Sequence, residues 1–247
     1  IDKDIADLNG NTASFRLSEV RAFLQGMSQQ VATTLIYGNQ HLNPERFTGL
    51  APRYSTVNVA TAQTAANVLD AGGTASTNTS MWIVTWGSDT IHGIFPKGKM
   101  TGLQHRDMGE WPVQDASGNT YQAYRDHFKW EIGLTLRDWR YTARIANIDV
   151  TQLTGVSAAN LINLIVRGLY RLPTAPANAT SIQTSDTPEV RANMGRVVLY
   201  CNRIIRTYLD LQAMNKTNVL LRLEEFQGKV VTTFRGIPVR TCDAILN

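Results

Sequence analysis

The stretch 121-YQAYRDHFKWEIGLTL-136 alternates apolar and charged residues. Tyr124, Phe128, Trp130, Ile132, Leu134 and Leu136 fall on one face, with Arg125, His127, Lys129 and Glu131 on the other. Successive side chains of a strand point to opposite faces, so this spacing predicts a long, half-buried β-strand. At about 3.3 Å per residue it would extend roughly 50 Å. Asp126 alone interrupts the apolar set. Two readings stand: a strand bent across two sheets, or a hairpin reaching a neighbouring subunit.

Just before it, 99-KMTGLQHRDMGEWPV-113 runs into 115-DASGNT-120, whose Asp, Ser, Gly and Asn are turn chemistry. Upstream lies 18-SEVRAFLQGMSQQVATTLIYGN-39, in which Val20, Phe23, Leu24, Met27, Val31 and Leu35 recur at helical spacing. Ser18 is a candidate N-cap and Gly38-Asn39 a candidate C-cap. Gly26 in its middle suits a place where another backbone approaches closely. Residues 40–80 read as a long, mostly irregular connection with one short helix near 61–69.

Strand-like runs follow at 81-MWIVTWG-87, 91-IHGIFP-96 and 196-RVVLYC-201, with two closing strands near 218–223 and 229–234. A second helix is predicted at 157–170, with Ser157 as cap and Ala158, Leu161, Ile162, Ile165 and Leu169 as its stripe. A third spans 203–216, with Ile204, Ile205, Tyr208, Leu209 and Gln212 on one face. The Pro- and Thr-rich 173–189 reads as an exposed loop, and 222-RLEEF-226 as a solvated turn. Helices and strands mix without regular βαβ alternation, which gives an α+β class.

With 43% apolar and 18% charged residues, the 247-residue chain has globular rather than disordered composition. A net charge of +4, with no run of like charges, permits an anionic neighbour without requiring one. Cys201 and Cys242 sit in apolar stretches and read as buried thiols, not a disulfide framework. No stretch reaches the roughly 20 apolar residues of a membrane span. The sequons at Asn78, Asn178 and Asn215 carry little weight outside a secretory context.

Chemistry is sparse. The histidines at 41, 92, 105 and 127 are widely spaced, and no HExxH, GxSxG, Walker A or GxGxxG pattern occurs. No metal, cofactor or catalytic residue is expected. Aromatic and basic residues interleave in 124-YRDHFKW-130 and 137-RDWRYTAR-144, a pattern that can clamp single-stranded nucleic acid. Packing is the stronger reading, because alternation assigns the aromatics to a buried face. Arg137, Asp138, Arg140 and Arg144 are then free to pair among themselves or across an interface.

The segments 15-FRLSEVRAFLQGM-27, 44-PERFTGLAPRYS-55, 91-IHGIFPKG-98, the block over 104–149 and the tail 234-FRGIPVRTCDAI-245 together resemble major capsid proteins of tailed bacteriophages. The resemblance covers nearly the whole chain, and its central block is the most specific part. It implies the HK97-type capsid fold, which also serves bacterial encapsulin compartments. Laid on this sequence, it implies a peripheral domain from 1–43, the end of an extended loop plus a long spine helix, and 99–150, a long β hairpin and sheet. Residues 44–98 and 151–247 would form the axial domain.

The implied function is a shell subunit that self-assembles as pentamers and hexamers into an icosahedral head around double-stranded DNA. An encapsulin-like compartment shell, a nucleic-acid-binding domain or an enzymatic domain are the alternatives. Scaffolding, portal and cement proteins would be further partners, with no membrane, assembly in the host cytoplasm and residence in the virion. Candidate inter-subunit contacts are Glu19, Arg21, His105, Arg106, Asp107, Glu110, Trp111, Arg125, Lys129, Arg137 and Arg140. The opening 1-IDKDIADL-8 has no Met and 243-DAILN-247 stops on apolar residues, which reads as a chain trimmed at both ends. Cover for that apolar end is expected from residues beyond it or from a neighbour. Pro238 marks an edge strand or the first residues of one.

Overall fold

Asp2 starts the first helix, its carboxylate accepting from the backbone N–H of Asp4 (2.9 Å) and Ile5 (3.4 Å). The computed structural model describes residues 1–8, 10–155, 158–173, 195–214, 221–226 and 229–246. In chain order the elements begin with α1 (Lys3–Asp7), α2 (Thr12–Tyr37), β1 (Val68–Asp70), β2 (Asn78–Trp86), β3 (Ile91–Ile94), β4 (Leu103–Gln114) and β5 (Thr120–Trp130). There follow β6 (Gly133–Leu136), β7 (Thr142–Asp149), α3 (Leu161–Leu169), β8 (Arg196–Cys201), α4 (Arg203–Met214), β9 (Leu221–Phe226), β10 (Lys229–Phe234) and β11 (Ile237–Thr241). The chain forms two compact units, Ile1–Val31 with Gly93–Gly133, and Ala32–His92 with Leu134–Asn247.

The second unit is built on a mixed sheet of order β1-β7-β2-β8-β11-β10-β9. β1 runs parallel to β7 and β8 parallel to β11, while the remaining neighbours in that order are antiparallel. β2 lies inside the sheet and is buried without a break from Thr79 to Thr85. Its continuous apolar run is what a strand covered on both faces requires. Met81 and Ile83 enter one core with Ile145, Leu199, Ile165 of α3 and Ile205 and Leu209 of α4. Trp82 and Val84 enter the opposite core with Ile36, Leu50, Tyr54 and Ile91. Each such side chain contributes about 1.5–3 kcal/mol by leaving water.

Two glycines close the second core at the end of α2. The N–H of Gly49 donates to the Gly38 carbonyl (2.8 Å) and that of Leu50 to the Leu35 carbonyl (3.0 Å), so the loop satisfies open carbonyls of the helix. A Cβ on Gly38 would stand 2.3 Å from the Phe47 carbonyl oxygen, and one on Gly49 2.6 Å from that of Thr34. Backbone cannot yield that much room, so both positions require glycine.

The first unit is a two-stranded antiparallel ribbon, β4 with β5, and two helical segments, α1 and α2 as far as Val31. Ribbon pairing runs from Leu103 opposite Trp130 to Gln114 opposite Thr120, with a bulge between Asp107 and Glu110. Gly109 supplies the left-handed backbone of that bulge at φ 72°. Asp115 closes the tip, accepting from the N–H of Ser117 and of Asn119, each at 2.8 Å.

Several expectations change. The strand read over 121–136 divides at Glu131–Ile132 into β5 and β6. Alternation of burial holds in β5 from Tyr124 to Trp130 and is lost in β6. Helix α2 starts at Thr12 rather than at Ser18, whose hydroxyl instead bonds back to the Phe15 carbonyl at 2.8 Å inside the helix. Phe23, placed on the apolar stripe, is 75% exposed. Asn160 caps α3, accepting from the N–H of Asn163 at 3.2 Å; Ser157 lies outside the described residues. The segment 222–226 is part of strand β9, not a turn.

The short helix expected near 61–69 is a 3-10 turn at Gln63–Asn67. β11 lies between β8 and β10 and is no edge strand. Pro238 is nevertheless among the first residues of β11, opposite Thr233 of β10 and just before the first β8 partner, Val239 opposite Leu199. Ile245 is buried in the second core of this chain and needs no outside cover, whereas Leu246 is exposed. The loop read at 173–189 and the sequons at Asn178 and Asn215 fall on residues outside those described, apart from Pro173.

Candidate functional site

The ribbon sorts its charges by face. A period of two puts Leu103, His105 and Asp107 of β4 beside Phe128 and Asp126 of β5 on one side, and after the bulge Glu110 joins Tyr124 there. This side packs on the unit's own helices. Arg16 of α2 bridges Asp107 and Asp126, each at 2.9 Å, and lies 4.8 Å over the Tyr124 ring. His105 approaches Asp126 through Nε2 at 2.8 Å and stacks on Phe128. Lys3 binds Glu110 at 2.7 Å. The Arg16 hydrogen bond holds the Asp107 carboxyl below the usual carboxylate range, and the same contact raises the guanidinium.

The opposite side holds Gln104 and Arg106 of β4 beside Lys129 and His127 of β5, with Trp111 beside Ala123. The Arg125 guanidinium stands 5.5 Å over the Trp111 ring. Arg106, Arg125 and His127 are exposed, and among the described residues no carboxylate pairs with them. Lys129 meets Glu131 at 2.7 Å, and Lys99 meets the same carboxylate at 2.8 Å. Those two ammonium groups hold Glu131 below its ordinary value.

The candidate contacts therefore separate. His105, Asp107 and Glu110 serve contacts within the ribbon unit. Arg106, Arg125, Trp111 and Lys129 share the open side. Glu19 and Arg21 are exposed on α2. Arg137 and Arg140 lie in the sheet unit, Arg137 near Asp89 at 3.5 Å and Arg140 on Asp138 at 2.7 Å. Asp138 also accepts the backbone N–H of Arg140, and its carboxyl is held low chiefly by the guanidinium. Among the described residues Arg144 pairs with no carboxylate: it donates to the Tyr54 carbonyl (2.8 Å) and Ser80 hydroxyl (3.0 Å) over the Trp82 ring. Arg16 was not among the candidates, although the polar break at Asp126 marked its partner.

Among the described residues no cluster beside these surfaces has the groups of a reaction centre. A cavity of about 230 Å³ in the sheet unit is lined by Leu35, Ile36, Trp82, Trp86, Tyr200 and Cys242. Two of its polar groups meet, Trp86 Nε1 donating to the Tyr200 hydroxyl at 3.0 Å, whereas Trp82 Nε1 is buried without a partner among the described residues. Cys201 is fully buried and its thiol is pushed up to about 12, far from a nucleophilic thiolate. Both cysteines are free. Among the described residues no group of three His, Cys, Asp or Glu is placed to hold a metal ion. Nor, among them, is any helix long and apolar enough to cross a membrane.

A family model for major capsid protein GP7 matches residues 1–247. A chain of a near-atomic structure of bacteriophage Epsilon15, derived from cryo-EM and modeling, is similar at 37% identity and a TM-score of 0.64. The similarity covers 100% of this chain and 70% of that one. No curated protein matches the sequence. The mixed α+β architecture described above is thus the HK97-type one implied by the resemblance. The chain belongs to the major capsid protein GP7 family, a structural and homo-oligomeric component of the virion shell and not an enzyme.

Proposed function

We propose that the subunit assembles as pentamers and hexamers into an icosahedral head that encloses double-stranded DNA. The sheet unit corresponds in this reading to the axial domain, and the ribbon unit with α2 to the peripheral domain. The observation that carries it is the middle of α2. From Arg21 to Gln30 only Leu24 and Met27 are partly covered by this chain. A helix so bare gains little stability from its own subunit, and neighbours in a shell would supply the missing contacts. Many modest polar contacts, repeated by symmetry, are enough to hold such a shell together.

Arg106, Trp111, Arg125 and Lys129 on the ribbon, with Glu19 and Arg21 on the helix, are the contacts this reading favours. Arg137 and Arg140 would be further contacts from the sheet unit. Scaffolding, portal and cement proteins are the remaining partners, and assembly takes place in the host cytoplasm. Electron microscopy of the purified full-length protein tests the reading. Large closed icosahedral particles are the expected result. A monodisperse monomer across protein and salt concentrations would sink it, and a small shell filled with a cargo enzyme would transfer it to an encapsulin-like compartment.

A further inference from the structure

We infer that the open, cationic side of the β4–β5 ribbon docks onto the flank of α2 around Glu19 and Phe23 on a second copy of the chain. The inference rests on the shell reading above and specifies one of its contacts.

Charge segregation on the ribbon is the first ground. Asp107, Glu110 and Asp126 all lie on the side facing the unit's own helices, and each is matched there by Arg16 or Lys3. The open side keeps Arg106, Arg125 and His127 exposed, with no carboxylate partner among the described residues. Trp111 remains 47% exposed beneath the Arg125 guanidinium. An exposed tryptophan held by an arginine is the kind of group that anchors interfaces.

The second ground is the complementary character of one flank of α2. Phe15, Glu19, Phe23 and Gly26 recur every three or four residues and so share one side of the helix. Glu19 is exposed and has no cationic partner among the described residues, and Phe23 is 75% exposed. A Cβ on Gly26 would meet no atom within 4 Å. Glycine there costs the helix about 1 kcal/mol relative to alanine, and packing within this chain does not require it. Glu19 and Phe23 stand one turn apart, about 6 Å. The Arg125 guanidinium and the Trp111 ring are separated by 5.5 Å. An arginine-and-aromatic pair is thus offered an acid-and-aromatic pair on one turn of helix.

The two patches differ from each other, so the contact can run head-to-tail. Such a heterologous contact closes a ring where the rotation it imposes closes, which is the geometry a capsomer needs.

The test uses the full-length protein and three variants: Arg125→Glu, Glu19→Arg, and the swap carrying both. Assembly is read by sedimentation of particles against free subunits, with electron microscopy of the pellet. Each single reversal is expected to lower particle yield on the order of tenfold, since a small loss per contact is repeated around the shell. The swap is expected to regain most of the yield. Single variants that assemble like the unaltered protein overturn the inference. So does a swap that stays as poor as the singles, which would assign the ribbon cations to another partner such as nucleic acid or a second protein.

Thermal melts of the free subunits check folding. Should a reversal fail to fold, Arg125→Gln and Glu19→Gln replace it, and both are expected to blunt the salt dependence of assembly. Unchanged salt dependence in both overturns the inference. Unaltered protein that forms no particles fails the shell reading and takes the contact with it. Unaltered protein that forms particles beside indifferent variants fails the contact alone.

Discussion

In the sheet unit, β2 is buried from Thr79 through Thr85, whereas in the ribbon unit Ala123 is the only fully buried residue of β4 and β5. Both regions consist of regular strands, yet different forces hold them. The sheet has an apolar core on each face, so it gains from burial on both sides. The ribbon has one half-covered face, and its contacts there are largely ionic: Arg16 with Asp107 and Asp126, Lys3 with Glu110. A two-stranded ribbon is marginal by itself in water. What stabilises it must come from its helices and, in the shell, from other copies.

The comparison can be broken in four places. Ile83→Ala removes a fully buried side chain from the first core and is expected to destabilise the sheet unit by about 3 kcal/mol. Chemical denaturation reads that loss. An effect below about 1 kcal/mol would mean that the core is looser than its burial indicates. Gly49→Ala drives a Cβ into the backbone at the end of α2 and is expected to cost about 1–3 kcal/mol. Ordinary stability in that variant would show that the loop can move aside.

The next two probe the ribbon. Arg16→Gln leaves Asp126 with His105 alone, so amides of β4 and β5 are expected to exchange faster while those of β2 hold their rate. Equal acceleration in both units would contradict the division of forces. The smallest effect is that of pH. Asp107 and Glu131 are held low in the folded chain, so their contribution is complete above the ordinary carboxylate pKa of about 4 and fades as pH falls through the lowered value. Asp138 of the sheet unit is held low as well, but two apolar cores that do not titrate hold that unit, so acid is expected to loosen the ribbon before the sheet. Exchange monitored from neutral to acidic pH tests this, and sheet-first loosening would reverse the assignment.

How far the sequence was legible follows the same line. Strand composition locates β8 at its actual bounds, and the turn chemistry of Asp115 to Thr120 locates the ribbon tip. What stayed hidden depended on partners remote in sequence. Gln212 of α4 accepts from the N–H of Leu161 (3.0 Å) and donates to the Ala159 carbonyl (2.9 Å), closing the start of α3 from another helix. The Gly38–Gly49 contact spans a shorter loop, yet it too joins residues that no local pattern pairs. Serine at 18 looked like a cap because serine serves as well inside a helix once its hydroxyl bonds backwards.

For the candidate site, composition identified the charged ribbon but could not sort it. His105, Arg106 and Asp107 are adjacent in sequence, yet Arg106 projects opposite to its two neighbours. The bulge before Glu110 then shifts the register, which no count of charges reveals. Asp126 was visible as an interruption in the apolar alternation; only its pairing with Arg16 explains it.

Hydrogen exchange compared between free subunits and assembled particles of the full-length protein tests the central claim most directly. If the ribbon and the bare middle of α2 are completed by neighbouring copies, amides of β4, β5 and residues 21–30 will slow strongly on assembly, while β2 and β8 stay as they were. Unchanged exchange in the ribbon and α2, with new protection confined to the sheet unit, would contradict it.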